Sequence, residues 1–186
     1  PWDAHQEGAV QEIHSTRQSH LVTLLHGVTS SGKTEVYIHL IEEQLQQGMQ
    51  VLYLVPEIAL TTQLTERLQA VFGSRLEVYH SRISDVQRAE IYRTNMLPDT
   101  DGRLIVGARS AVFLPFHRLG LVIVDEEHET SYKQQDPAPR YNARDTAIIL
   151  ASLYKADVLL GTATPSIETY HNATNGKYGH VVLNQR

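Results

Sequence analysis

The chain has 186 residues, enough for one domain with a proper hydrophobic core. Its 41% hydrophobic and 20% charged residues are ordinary for a globular protein, and no apolar run approaches the ~20 residues needed to cross a bilayer, so no membrane span is expected. With zero cysteines, disulfides and thiolate metal sites are excluded, and a net charge of −5 leaves any nucleic-acid contact to local basic patches rather than to the overall field. The ten histidines show no H-E-x-x-H or similar ligand spacing and are read as surface or packing residues. Pro1-Trp2-Asp3 lacks the basic and apolar regions of a signal peptide, and without an initial Met the chain is expected to be a piece of something longer.

Strand and helix patterns alternate from end to end. Residues 6–16 have helical spacing of Ala9, Val10 and Ile13, and 21–25 read as a short buried strand. A helix is predicted over 35–47, a buried strand over 50–55 stopped by Pro56, and an amphipathic helix over 60–72 closed by Gly73. A strand at 76–79 precedes a helix at 84–96 opened by a Ser cap; a strand at 103–106 and a short apolar element at 111–114 follow. The β-branched run 121–124 is a strand ending in acids. Residues 127–142, with Pro137 and Pro139 and no periodicity, read as a long loop. A helix from 142 or 143 to about 155, a strand at 157–160, a helix at 166–174 and a last strand at 181–183 complete the series. Continuous apolar strands separated by helices imply a parallel sheet covered on both faces. The fold class expected is therefore α/β, a P-loop NTPase of RecA-like three-layer sandwich form with a mostly parallel central sheet, in a single domain over residues 1–186.

Gly27-Val28-Thr29-Ser30-Ser31-Gly32-Lys33-Thr34 fits G-x-x-x-x-G-K-[ST] in the strand–loop–helix setting that a phosphate-binding P-loop requires. Gly27 and Gly32 let the backbone wrap a phosphate, and the amides of Thr29, Ser30 and Ser31 join the anion nest. Lys33 would sit on the β- and γ-phosphates, and the Thr34 hydroxyl would help hold Mg²⁺. Asp125-Glu126-Glu127-His128 follows the 121–124 strand directly. An acid at that strand end suits metal binding, which assigns Asp125 to Mg²⁺ and Glu126 to the general base that activates water. Glu127 and His128 are placed at the sheet edge, within reach of the γ-phosphate or neighbouring loops. Thr162 and Thr164, in Gly161-Thr162-Ala163-Thr164-Pro165, fit either a switch between nucleotide states or, for Thr164 or Ser166, a helix N-cap.

In this order GVTSSGKTEVY, DEEH and TATPS resemble motifs I, II and III of superfamily 2 helicases. LVPEIALT resembles motif Ia, VGARSA motif Ib and YHS the segment between them. With LVIVDEEHE and SYKQQ, the combination is most similar to the primosomal replication-restart branch, over about residues 6–168. The resemblance implies ATP and Mg²⁺ as cofactors, no zinc in this segment, and an ATP-driven DNA helicase of the bacterial cytoplasm and nucleoid. It implies that Gln6 reads adenine and that Pro56, Thr61 and Arg109 lie in motifs touching the phosphate backbone of single-stranded DNA. It further implies that 131–141, with Tyr132, Lys133, Arg140 and Tyr141, is an aromatic-rich loop coupling DNA contact to hydrolysis. Aromatic and basic residues there suit stacking on bases, although a tyrosine-anchored surface loop fits the same residues. Single-stranded and forked DNA, single-stranded-DNA-binding protein and primosome proteins are the implied partners. Ser30 departs from the family's usual Gly at a variable position, so nucleotide binding is expected to survive.

Such motors work with two RecA-like lobes, and this chain has room for the first only. By itself it is expected to bind nucleotide weakly and hydrolyse it negligibly. Another superfamily 2 translocase, a P-loop kinase and a non-catalytic docking module are the competing readings.

Overall fold

Seven strands run parallel through the middle of the molecule, in a computed structural model that describes residues 2–27, 32–80, 82–97, 102–127, 132–134 and 141–183. In chain order the elements are α1 (Ala4–Arg17), β1 (Val22–Gly27), α2 (Lys33–Gln46), β2 (Gln50–Leu54), α3 (Thr62–Phe72), β3 (Leu76–Tyr79), α4 (Asp85–Asn95), β4 (Arg103–Gly107), β5 (Leu119–Asp125), β6 (Lys133–Gln134), β7 (Tyr141–Asn142), α5 (Ala143–Tyr154), β8 (Asp157–Thr162), α6 (Ile167–Thr174) and β9 (Gly179–Leu183). Short 3-10 turns at Glu57–Ala59 and Arg109–Phe113 follow β2 and β4. The sheet order is β3-β4-β2-β5-β8-β1-β9, and every pairing in it is parallel, more uniformly than the mostly parallel sheet expected.

The strand side chains alternate between two cores. Leu25, Val51, Tyr53, Leu121, Ile123 and Leu159 point to the face covered by α1, α2 and α3. Leu24, Leu52, Leu54, Val122, Val124 and Leu160 point to the face covered by α4, α5 and α6. The period of two in a strand buried on both sides is what makes these runs read as continuously apolar. Ala143, Ala147 and Ala151, one helical face of α5, are all buried, and their small side chains bring that helix close to the sheet.

The helix starts are written locally. Asp3 and Gln6 form a reciprocal capping box on α1, Ser84 and Gln87 another on α4, and Thr61, Asn142 and Ser166 cap α3, α5 and α6. The cap at Thr61 starts α3 at Thr62, later than the predicted residue 60. Within the predicted loop 127–142, β6 and β7 pair antiparallel through Lys133–Asn142 and Gln134–Tyr141. A two-residue ladder has too short a pattern to be seen in sequence.

Candidate functional site

Because every strand of the sheet is parallel, the segments after β1, β2, β4, β5 and β8 all emerge at one edge, where ligands of open α/β sheets bind. The glycine-rich loop leaves β1, Asp125 ends β5 with Glu126 next to it, and Thr162 ends β8. In the sheet order β8 lies between β1 and β5, so the threonine segment separates the lysine-bearing loop from the acids.

Gly32 has φ +90°, a left-handed backbone that suits glycine, and a Cβ there would stand 2.3 Å from the Gln6 amide nitrogen. Lys33 opens α2, and its Nζ donates to the Gly27 carbonyl at 2.9 Å, tying the far end of the loop to its start. Thr34 follows on the same first turn. Thr29, Ser30 and Ser31 lie outside the described residues, as do His128 and Arg140.

Asp125 accepts a hydrogen bond from the Tyr37 hydroxyl at 2.8 Å. Burial pushes its carboxyl up to about 6; the Tyr37 bond and the Lys33 charge pull down, and Glu126 pushes further up. Glu126 stands at φ +50°, unusual for a residue with a side chain and a recurrent feature of functional positions. Among the described residues there is no group of three or more His, Cys, Asp or Glu able to hold a metal ion. The donors on offer are the Asp125 carboxylate and the Thr34 hydroxyl. Such a small set of hard oxygens suits a divalent cation that takes the rest of its shell from phosphate and water.

Thr162 is fully buried and its Oγ1 accepts from the Thr164 amide at 3.0 Å, while Thr164 is exposed. The Nε2 of His26, on β1 next to Gly27, donates to the Ala163 carbonyl at 3.2 Å and joins the two strand ends directly. Thr61 and Arg109 meet in a groove of about 630 Å³ that His80 and Ser110 also line. Lys133 is exposed, and its carbonyl accepts from Arg109 Nη1 at 3.0 Å. Tyr141 enters β7.

Two expectations, for Tyr132 and Glu127, need correction, and Gln6 and Pro56 are both buried. Tyr132 is no exposed stacking ring: it is fully buried, and its hydroxyl donates to the carbonyls of Leu54, at 3.1 Å, and Asp125, at 2.5 Å, because it anchors the start of its segment to the ends of β2 and β5. Gln6 is 1% exposed, with its amide oxygen on the Asp3 amide and its nitrogen 3.4 Å from the Gly32 carbonyl, so it braces the loop from behind. Pro56 is buried at the end of β2 and does not line the Thr61–Arg109 groove. Glu127 turns inward: its side chain is 0% exposed and pairs with Arg144 Nη1 at 3.1 Å. It also accepts from the Ser166 amide at 2.8 Å, the Ser166 hydroxyl at 3.2 Å and the Thr169 hydroxyl at 3.0 Å.

Sequence reasoning passed over Tyr37, Gly161 and Arg144. Tyr37 carried one signal, its place four residues after Lys33 on the same helix face. Arg144 carried none, since all partners of its guanidinium but the adjacent Asp145 lie 17 to 24 residues away along the chain.

The chain matches the DEAD/DEAH box helicase family over residues 3–173. It is 50% identical over 165 residues to the replication restart protein PriA of Haemophilus influenzae, covering 89% of this chain and 22% of that protein. Against the PriA of Bacillus subtilis it is 45% identical over 188 residues, covering 100% of this chain and 23% of that protein. The chain thus spans under a quarter of the length of these relatives. Its fold is similar to RecG bound to a three-way DNA junction, with a TM-score of 0.71 at 22% identity over 100% of this chain and 24% of that one. The helicase domain of Pyrococcus furiosus Hef gives 0.64 at 17% identity, over 94% of this chain and 38% of that one. A match that runs through both the loop before Lys33 and the acids at the end of β5 makes this chain a member of the DEAD/DEAH box helicase family.

Proposed function

We propose that this chain is the ATP-binding motor lobe of a superfamily 2 DNA helicase of the PriA kind, one RecA-like lobe over residues 1–186 whose partner lobe lies elsewhere in the working enzyme. The observation that carries this reading is the meeting of Lys33 and Asp125 at one sheet edge, close enough for the lysine charge to act on the carboxyl, in a chain 50% identical to PriA. Family membership implies ATP with a divalent metal. The hard-oxygen donors favour Mg²⁺.

Lys33 and the amides at the start of α2 hold the β- and γ-phosphates. Thr34 and Asp125 hold the metal, which neutralises phosphate charge when bound. With its carboxyl at about 6, Asp125 is mostly ionised at neutral pH and ready for that role. Glu126 orients the attacking water and takes its proton. Thr162 and Thr164, linked to β1 through the Ala163–His26 bond, register the state of the phosphate loop.

The groove of Thr61 and Arg109 takes the phosphate backbone of single-stranded or forked DNA, with Lys133 beside it and His128, Arg140 and Tyr141 in the coupling loop. Single-stranded-DNA-binding protein and primosome proteins are the partners in this reading, and the bacterial cytoplasm and nucleoid its place.

In the full-length protein, Lys33→Ala and Glu126→Gln should each lower DNA-dependent ATP turnover at least ~100-fold, the scale at which essential catalytic groups act. Intact turnover in either variant would overturn the reading. Robust DNA-stimulated turnover by residues 1–186 alone would overturn its single-lobe part.

A further inference from the structure

We propose that Tyr37 is a positioning residue for the Asp125 carboxylate, and that Gly161 is the opening through which it acts. This rests on the metal–nucleotide reading of the site. Tyr37 lies one helical turn after Lys33 on α2, so the same rigid helix presents both side chains. Its ring is fully buried and meets the edge of Tyr53, with centroids 5.5 Å apart and planes at 72°. Held in that slot, the hydroxyl reaches Asp125 Oδ1 at 2.8 Å.

The path from α2 to the end of β5 crosses β8. Gly161 of β8 pairs with Asp125 on one side and Leu25 on the other. A Cβ at Gly161 would lie 1.6 Å from the Tyr37 hydroxyl oxygen and 2.7 Å from the ring carbon that bears it. Any side chain at 161 would therefore close the route, and glycine is required there for space rather than for backbone conformation.

A buried tyrosine hydroxyl needs a partner, and simple satisfaction of that need would explain a bond to any nearby carbonyl. This hydroxyl instead reaches the carboxylate assigned to the metal, and it commits Oδ1 before any ligand arrives. Rotation of the carboxylate is thereby restricted, with its orientation set by the helix that also carries Lys33 and Thr34. Groups that hold a metal ligand from behind typically contribute 10–100-fold to metal affinity.

The test is Mn²⁺ binding, followed by electron paramagnetic resonance, to the full-length protein with the non-hydrolysable ATP analogue AMP-PNP. Tyr37→Phe keeps the ring and its packing on Tyr53 and removes only the hydroxyl. The expected result is about a tenfold loss of Mn²⁺ affinity. Analogue affinity measured in EDTA should stay within about twofold, and the melting temperature should stay within a few degrees. Unchanged Mn²⁺ affinity would overturn the positioning role while leaving the nucleotide site standing. A parallel loss of metal-free and metal-bound affinity would also overturn it, since that is the signature of packing alone. If the unaltered protein bound no analogue with or without Mn²⁺, the nucleotide reading would fall and this role with it.

Discussion

Asp125 and Glu127 stand two residues apart at the end of β5, and their surroundings are opposite. Asp125 is partly buried at the functional edge, held by the side chain of Tyr37, with its carboxyl pushed up to about 6 by burial. Glu127 faces the interior, where Arg144, the Ser166 amide and hydroxyl and the Thr169 hydroxyl bond its oxygens. A carboxylate has about four acceptor positions. Four protein donors reach Glu127, three on Oε2 and one on Oε1, and with its side chain 0% exposed it knits β5 to α5 and α6 away from any ligand. Asp125 keeps capacity for one, and bears the desolvation that goes with it.

Three experiments would break or sharpen this contrast. Glu127→Ala should have the largest effect, because it leaves the Arg144 guanidinium, 9% exposed, without its buried partner. Loss of about 3–5 kcal/mol in urea unfolding is expected for such a broken pair. A cost below about 1 kcal/mol, the scale of a surface ion pair, would show that Glu127 is not the interior tie described.

Gly161→Ala comes next. Its methyl group collides with Tyr37, and overpacking of this kind costs about 1–3 kcal/mol. In a Tyr37→Ala background most of that cost should vanish, so a double-mutant cycle should show coupling of about 1–2 kcal/mol. Additive costs would mean that the collision is with something else.

The smallest effect has the opposite sign. The folded Asp125 carboxyl titrates near 6 against 3.8 for the ordinary group, so its ionised form is disfavoured in the fold. That penalty is absent below about pH 4, grows between about 4 and 6, and is complete above. Asp125→Asn should therefore stabilise the protein by about 1–2 kcal/mol at pH 7–8, less than the full shift would convert to because the group is partly exposed. The gain should disappear by about pH 4 in thermal melts. A stability gain independent of pH would contradict the assignment.

Much of this molecule was legible beforehand because the signals are local. The apolar runs at 50–54 and 121–124, the cap at Ser84 and the glycine–lysine loop each identify themselves within a few residues. The errors fall where a residue's role depends on a distant partner. Tyr132 looks like a loop aromatic until the carbonyl of Leu54, 78 residues back, is found to receive its hydroxyl. Position at the strand end assigned Asp125 to the metal, but nothing nearby showed that Glu127, two residues on, turns inward.

Periodicity, capping and turn chemistry are short-range physics, so the alternation of strand and helix and the placing of motifs at strand ends were already determined by residue order. That Glu127 turns away from the functional edge was decided only by the packed sheet. Placing β8 between β5 and β1 puts the bare backbone of Gly161 beneath Tyr37 and lets that hydroxyl reach Asp125, 88 residues away. Hydrogen-bond satisfaction in a buried site is settled among groups that meet only after folding, and a linear pattern carries no record of which donors those will be.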